Sequence, residues 1–95
     1  MSLPQTEEHE LLVKAWKKFG EEAQLQVLEE ECAELIQAIS KLRRGKIRFG
    51  KVIEEVVDVD LCIAQFRLFN KGILWNQYHD AKVKRLKELI GDFKL

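Results

Sequence analysis

EEAQLQVLEEECAELIQAISKLR, residues 21–43, is the stretch whose reading decides the fold. Leu25, Leu28, Cys32, Leu35, Ile39 and Leu42 recur at spacings of three and four, the period of a helix with one buried stripe. Residues 21–43 at 1.5 Å rise per residue make a rod of roughly 35 Å, long for a small domain. Such a rod needs neighbours along most of its length, and the flanking sequence supplies them.

Upstream, Gly20 ends a first helix predicted from Gln5 to Phe19, with Leu11, Leu12, Ala15, Trp16 and Phe19 on its buried side. Downstream, Arg44 to Gly50 reads as a basic loop. A third helix follows from Lys51 to Asn70, apolar almost all round, and a helix of that kind must be covered on several sides. Gly72 separates it from a fourth helix, Leu74 to Ile90, with Gly91 as its stop. No strand-like alternation, repeat or low-complexity tract is present. The expected fold is all-α, an antiparallel helical bundle of about four helices in a single domain over residues 1–95. One short bundle leaves the third helix uncovered, so a homodimer or homotetramer is expected.

Composition narrows the function classes. Apolar content of 46% with 34% charged residues excludes a disordered chain. The formal net charge is zero, which gives no electrostatic reason to expect a nucleic-acid partner or a membrane surface. The apolar runs are far too short to span a bilayer. Glu7, Glu8 and Glu10 precede any apolar stretch, so no signal peptide is read, and a cytoplasmic location is expected. Cys32 and Cys62 lack the paired spacing of a zinc site and read as reduced structural thiols.

Two acidic phrases, Glu30-Glu31-Cys32-Ala33-Glu34 and Glu55-Val56-Val57-Asp58, carry the chemistry. Residues three apart share a helix face, so Glu31 with Glu34, and Glu55 with Asp58, each form a two-carboxylate claw. Antiparallel packing of the second and third helices sets the claws facing each other across an interaxial gap of about 8–10 Å. Both border apolar stripes, where an uncompensated carboxylate is costly. Ordinary solvated helix charges paired with nearby lysines are the plain alternative. Yet the positions four residues after Glu31, Glu34 and Asp58 are Leu35, Ala38 and Cys62, none of them basic. Oxygen-only ligands favour a hard cation, Mg²⁺ or Mn²⁺.

The two phrases resemble the E-E-x-x-E … E-x-x-D signature of the MazG-like, all-α nucleoside triphosphate pyrophosphohydrolases. The resemblance extends through Gln24-Leu25, Leu28, Glu34-Leu35 and Ala38, through Glu54-Glu55-Val56-Val57-Asp58-Val59, and to Gly72-Ile73 and Ala81-Lys82-Val83-Lys84-Arg85. It covers about Phe19 to Leu86. It implies that Glu31, Glu34, Glu55 and Asp58 ligate Mg²⁺, with Glu30 outside the ligand set. It also implies hydrolysis of a nucleoside triphosphate to the monophosphate and pyrophosphate, with Glu34 or Glu55 orienting the attacking water. Val27, Asp60 and Asp80 depart from the family's habits, at positions that bear on substrate contacts rather than on the metal site. Phosphoribosyl-ATP pyrophosphohydrolase is a related alternative, but its usual histidine after the second acidic motif is replaced here by Asp60, Leu61 and Cys62. A non-catalytic, metal-binding helical dimer is the alternative of another class.

Substrate phosphates need cations beyond the metal. Lys46 and Arg48 in the basic loop are candidates through charge-assisted hydrogen bonds, set against the reading of a solvated loop that complements a helix dipole. Lys82 and Arg85 are candidates by the resemblance. Trp16, Phe19 and Trp75 can stack on a base, although aromatics at helical spacing more often belong to a core. His9 and His79 read as surface residues, and Ser40 as a lone hydroxyl without nucleophile partners.

Overall fold

The structure is a computed structural model that describes residues 5–70 and 72–93. Four helices follow one another: α1 (Gln5–Phe19), α2 (Glu21–Arg43), α3 (Phe49–Asn70) and α4 (Ile73–Ile90). No strand occurs among the described residues. The helix ends are legible in local chemistry. Glu7 and Glu8 stand in the first turn of α1 and Lys17 and Lys18 in its last, each complementing the helix dipole.

A single residue, Gly20 at φ 90°, joins α1 to α2, a conformation in which a β-carbon is strained. The turn after α2 is a Schellman motif. Gly45 takes φ 71°, its N–H donates to the Leu42 carbonyl at 2.9 Å, and the Lys46 N–H donates to the Lys41 carbonyl at 2.9 Å. Carbonyls that the helix end would orphan are thereby satisfied, and the chain reverses within Arg44–Arg48. The third helix begins at Phe49 rather than Lys51, because the Lys51 N–H bonds the Arg48 carbonyl at 3.1 Å and winds the first turn early. The loop is correspondingly shorter than the sequence predicts.

This connection returns α3 antiparallel along α2, and the two form the main contact of the molecule. α1 lies against both. Its attachment is specific: the Gln65 amide donates to the Leu12 carbonyl at 3.0 Å, and the Trp16 ring stacks on Phe69 with centroids 4.7 Å apart. Gln65 is buried, so that hydrogen bond satisfies a polar group which would otherwise be costly. Among the described residues Ala38, Val52 and Val59 are the buried apolar ones, a thin core set along the α2–α3 seam.

The helices are those the sequence predicts, but they do not close into one compact bundle. α4 buries none of its residues and scarcely touches α1, α2 or α3. The radius of gyration is 16.5 Å, against about 12 Å for a compact chain of this length. The apolar girth of α3 predicts cover on several sides, yet Ile53, Val56, Val57 and Ile63 are exposed. No described helix is long and apolar enough to cross a membrane.

Truncating the aromatic clip tests the role of α1. Trp16→Ala removes the stack on Phe69 and is expected to cost about 2 kcal/mol, less than a fully buried tryptophan because Trp16 is half-exposed. Urea unfolding followed by circular dichroism measures it, and an unchanged midpoint would show that α1 contributes little.

Candidate metal centre

The α2–α3 seam brings the acidic phrases together. On α2, Glu31 sits one turn from Leu28 and Leu35, at the edge of the stripe that faces α3, and Glu34 lies one turn further along. On α3, Glu55 lies between Val52 and Val59, the two valines that α3 buries. Antiparallel pairing sets these positions opposite one another. One carboxylate oxygen from each of Glu31, Glu34 and Glu55 lies within 4.8 Å of the others. Oxygens gathered on an octahedral Mg²⁺ at about 2.1 Å stand roughly 3–4 Å apart, so a small side-chain adjustment closes the set onto one cation.

The three glutamates form a gradient from interior to solvent. Glu55 is buried, with 6% of its surface exposed, Glu31 is half-buried, and Glu34 is open to solvent. Asp58, the fourth residue of the predicted set, is half-buried and outside the group of three. It still acts on the site through its charge. Burial, and then the negative charges of Glu34, Asp58 and Glu55, push the Glu31 carboxyl above its ordinary value. The Glu30 side chain points away and accepts a 3.5 Å hydrogen bond from the Gln26 amide.

Two buried oxygens here have no hydrogen-bond partner, Glu31 Oε2 and Glu55 Oε2. Buried carboxylate oxygens without a donor are rare because each forfeits its hydration. The other oxygen of Glu55 is satisfied: Lys51 Nζ lies 3.0 Å from Oε1, and 3.7 Å from the exposed Glu54. The hydrogen bond to Glu55 holds the Lys51 ammonium above its ordinary range. One oxygen of Glu55 is thus held by a lysine and the other has no donor. A divalent cation bound among these carboxylates would supply a partner for such oxygens, and the donor set, carboxylates only, suits a hard ion.

Beside the cluster runs a groove of about 360 Å³, lined by Glu34, Gln37, Ala38, Lys41, Ile47, Lys51 and Glu55. Its cations are Lys41 and Lys51, whereas the sequence points to Lys46, Arg48, Lys82 and Arg85. Lys46 and Arg48 are exposed in the α2–α3 connection, where Ile47 between them reaches the groove. Lys82 and Arg85 are exposed on α4, which leaves the α2–α3 pair. The signal for Lys51 was available: it stands four residues before Glu55, on the same face. Lys41 follows Glu34 by two helical turns and is found by the same spacing rule.

The remaining candidates have structural surroundings. Trp16 is occupied by its stack on Phe69, Lys18 stands 5.5 Å over the exposed Phe19 ring, and the Arg67 guanidinium lies 5.1 Å over Trp75. Cys32 and Cys62 are free and half-buried. Burial, reinforced by the charges of Glu31 and Asp58, pushes the Cys62 thiol up and away from thiolate reactivity. His9 and His79 are exposed, as predicted.

Two outcomes are expected of this cluster. Divalent ions should raise the melting temperature more than Na⁺ at matched ionic strength, since only the folded chain assembles the three carboxylates. Equal shifts would count against a shared centre. In EDTA, the raised Glu31 value means that the folded state holds a proton more tightly than the unfolded chain does. That favourable contribution is complete below the ordinary carboxylate range and is lost as pH rises through the elevated folded value. Glu31→Gln should therefore melt higher than the parent at pH 7, and the gap should close toward pH 4; a gap constant with pH contradicts the electrostatic account. In comparisons with protein-family models, curated proteins and solved structures, no match to this chain was found.

Proposed function

We propose that this chain is a MazG-like, Mg²⁺-dependent nucleoside triphosphate pyrophosphohydrolase, working as a homo-oligomer and releasing a nucleoside monophosphate and pyrophosphate. The observation that supports it most is the convergence of Glu31, Glu34 and Glu55 from two helices, with two buried oxygens left unpartnered. Glu31, Glu34 and Glu55 would hold the ion, with Asp58 adding negative charge alongside. Bound there, Mg²⁺ supplies charge neutralisation on phosphate oxygens and lowers the pKa of water.

The chain's own residues account for the rest of the chemistry. Glu34 is the most exposed of the three acids, so it is the one able to accept a proton from water arriving from solvent. Glu55, buried and held by Lys51, is suited to a fixed ligand role. Lys41 and Lys51 line the adjoining groove and offer ammonium donors to a polyphosphate, as point charges rather than bidentate forks. Rupture of an inner rather than the terminal anhydride then follows from where the phosphates are gripped.

A second reading, a metal-binding helical module without catalysis, is favoured by one observation. Lys82 and Arg85, the α4 cations expected at the phosphates, lie on a helix that scarcely packs against α2 or α3 within the chain. A single assay separates the two readings. Purified protein with Mg²⁺ and a panel of nucleoside triphosphates should release pyrophosphate, and Glu34→Gln should reduce that rate by at least about a hundredfold, since loss even of groups that merely support metal ligands costs 10–100-fold. Helicity by circular dichroism should be unchanged, because Glu34 is exposed. Metal binding without pyrophosphate from any triphosphate would establish the non-catalytic module instead.

A further inference from the structure

We propose that the basic end of the α2–α3 hairpin is a binding site for single-stranded nucleic acid, separate from the acidic centre. The site requires neither the metal nor the hydrolytic reaction.

Charge distribution is the first argument. Zero net charge is an average over a segregated chain. Residues 35–53 hold six bases, Lys41, Arg43, Arg44, Lys46, Arg48 and Lys51, and no acid. The remaining residues hold ten bases against sixteen acids, a net −6. Residues 35–53 are the end of α2, the turn at Gly45 and the start of α3, so their charge collects at one end of the hairpin. Lys41 and Lys51 line the groove beside the acids, and Lys51 is paired with Glu55. Arg43, Arg44, Lys46 and Arg48 are exposed, and among the described residues none of them pairs with a carboxylate. Arg44 commits only its Nε–H, to the Ser40 carbonyl at 3.4 Å, which leaves its terminal N–H groups for a phosphate. Uncompensated cations so close together repel one another. A polyanion removes that repulsion and releases its own condensed counterions as it binds.

Shape is the second argument. A groove of about 470 Å³ lies here, lined by Ile36, Ile39, Ser40, Arg43 and Arg44. It shares no residue with the groove beside the acids. At 100° per residue, Ile36, Ile39 and Arg43 stand about 140–200° around α2 from Glu34, on the far side of the hairpin. Phe49 and Ile53 of α3 turn to the same side, away from Lys51 and Asp58, and Phe49 is 63% exposed. An aliphatic floor, a hydroxyl, guanidinium groups and an open aromatic ring thus share one side of the hairpin end.

This combination selects the partner. Three of the four free cations are arginines, whose planar forks grip phosphate bidentately and stack on flat rings. An aromatic ring beside a cationic groove holds successive bases of a single strand without regard to sequence. A concave groove admits a strand but not the flat surface of an anionic bilayer. An acidic peptide has no base to lay on Phe49, and a duplex keeps its bases stacked on each other.

The test uses the full chain in EDTA, so that the acidic centre holds no divalent ion. Fluorescence anisotropy follows labelled oligothymidylate and oligouridylate, and both should bind with dissociation constants of about micromolar size at 50 mM NaCl. Four phosphate contacts predict a slope of about −2.8 in log affinity against log salt, about a fiftyfold loss between 50 and 200 mM. Arg43→Gln combined with Arg44→Gln should weaken binding at least about tenfold and flatten that slope by about 1.4. Helicity should be retained, because both side chains are exposed. Arg43→Lys combined with Arg44→Lys keeps the charge and should keep the parental slope. Phe49→Ala should cost about tenfold on a single strand at unchanged slope, and nothing on a duplex. No binding at 50 mM NaCl, an undiminished Arg43/Arg44 glutamine variant, or a single strand indifferent to Phe49→Ala overturns the site. Binding to phosphatidylserine vesicles without binding to either oligonucleotide also overturns it, and gives these cations to a lipid surface instead.

Discussion

The structure depends on one constraint, the antiparallel contact of α2 with α3. The left-handed Gly45 closes the end of α2 with two backbone hydrogen bonds and turns the chain within five residues. Two rods of 23 and 22 residues joined so tightly run antiparallel and in contact with each other. Their seam carries Ala38, Val52 and Val59, and the same seam carries Glu55. Burial of apolar groups and concentration of charge are therefore products of a single contact.

That coupling is energetically unusual. A seam so thin gains little from apolar burial, yet it holds a buried carboxylate beside two others. Lys51 offsets one oxygen of Glu55 at 3.0 Å, and the second oxygen and its counterpart on Glu31 remain without donors. Isolated buried charges destabilise a fold unless something compensates them. The cation-binding role we propose would account for acids at a position where an apolar side chain would be less costly. The groove beside them, with Lys41 and Lys51, presents positive charge next to negative.

The other departure from an ordinary small domain is the surface. On the hairpin's far face Ile36, Ile39, Val56 and Ile63 are exposed, and on α4 so are Leu86 and Leu89. In this chain the acids lie on one side of the hairpin and the uncovered aliphatic residues on the other. The same helices thus present a charged side and an uncovered apolar side.

Much of this was legible in the sequence. The three-and-four spacing of Leu25, Leu28, Cys32 and Leu35 specifies α2, and glycines at 20, 45 and 72 mark the breaks, because helical periodicity and positive φ are local properties. The i,i+3 pairing of Glu31 with Glu34 is local in the same sense. Other features needed the tertiary structure. Glu55 is drawn to Glu31 and Glu34 while Asp58 stays outside the group, a matter of how two rods register across a gap. The cations at the groove are Lys41 and Lys51 rather than the loop residues Lys46 and Arg48, because the connection turns Ile47, and not its two neighbours, toward the groove. Nor does spacing reveal that α4 leaves the other helices. An amphipathic stripe states that a helix will be covered, whereas only the packed chain decides by what.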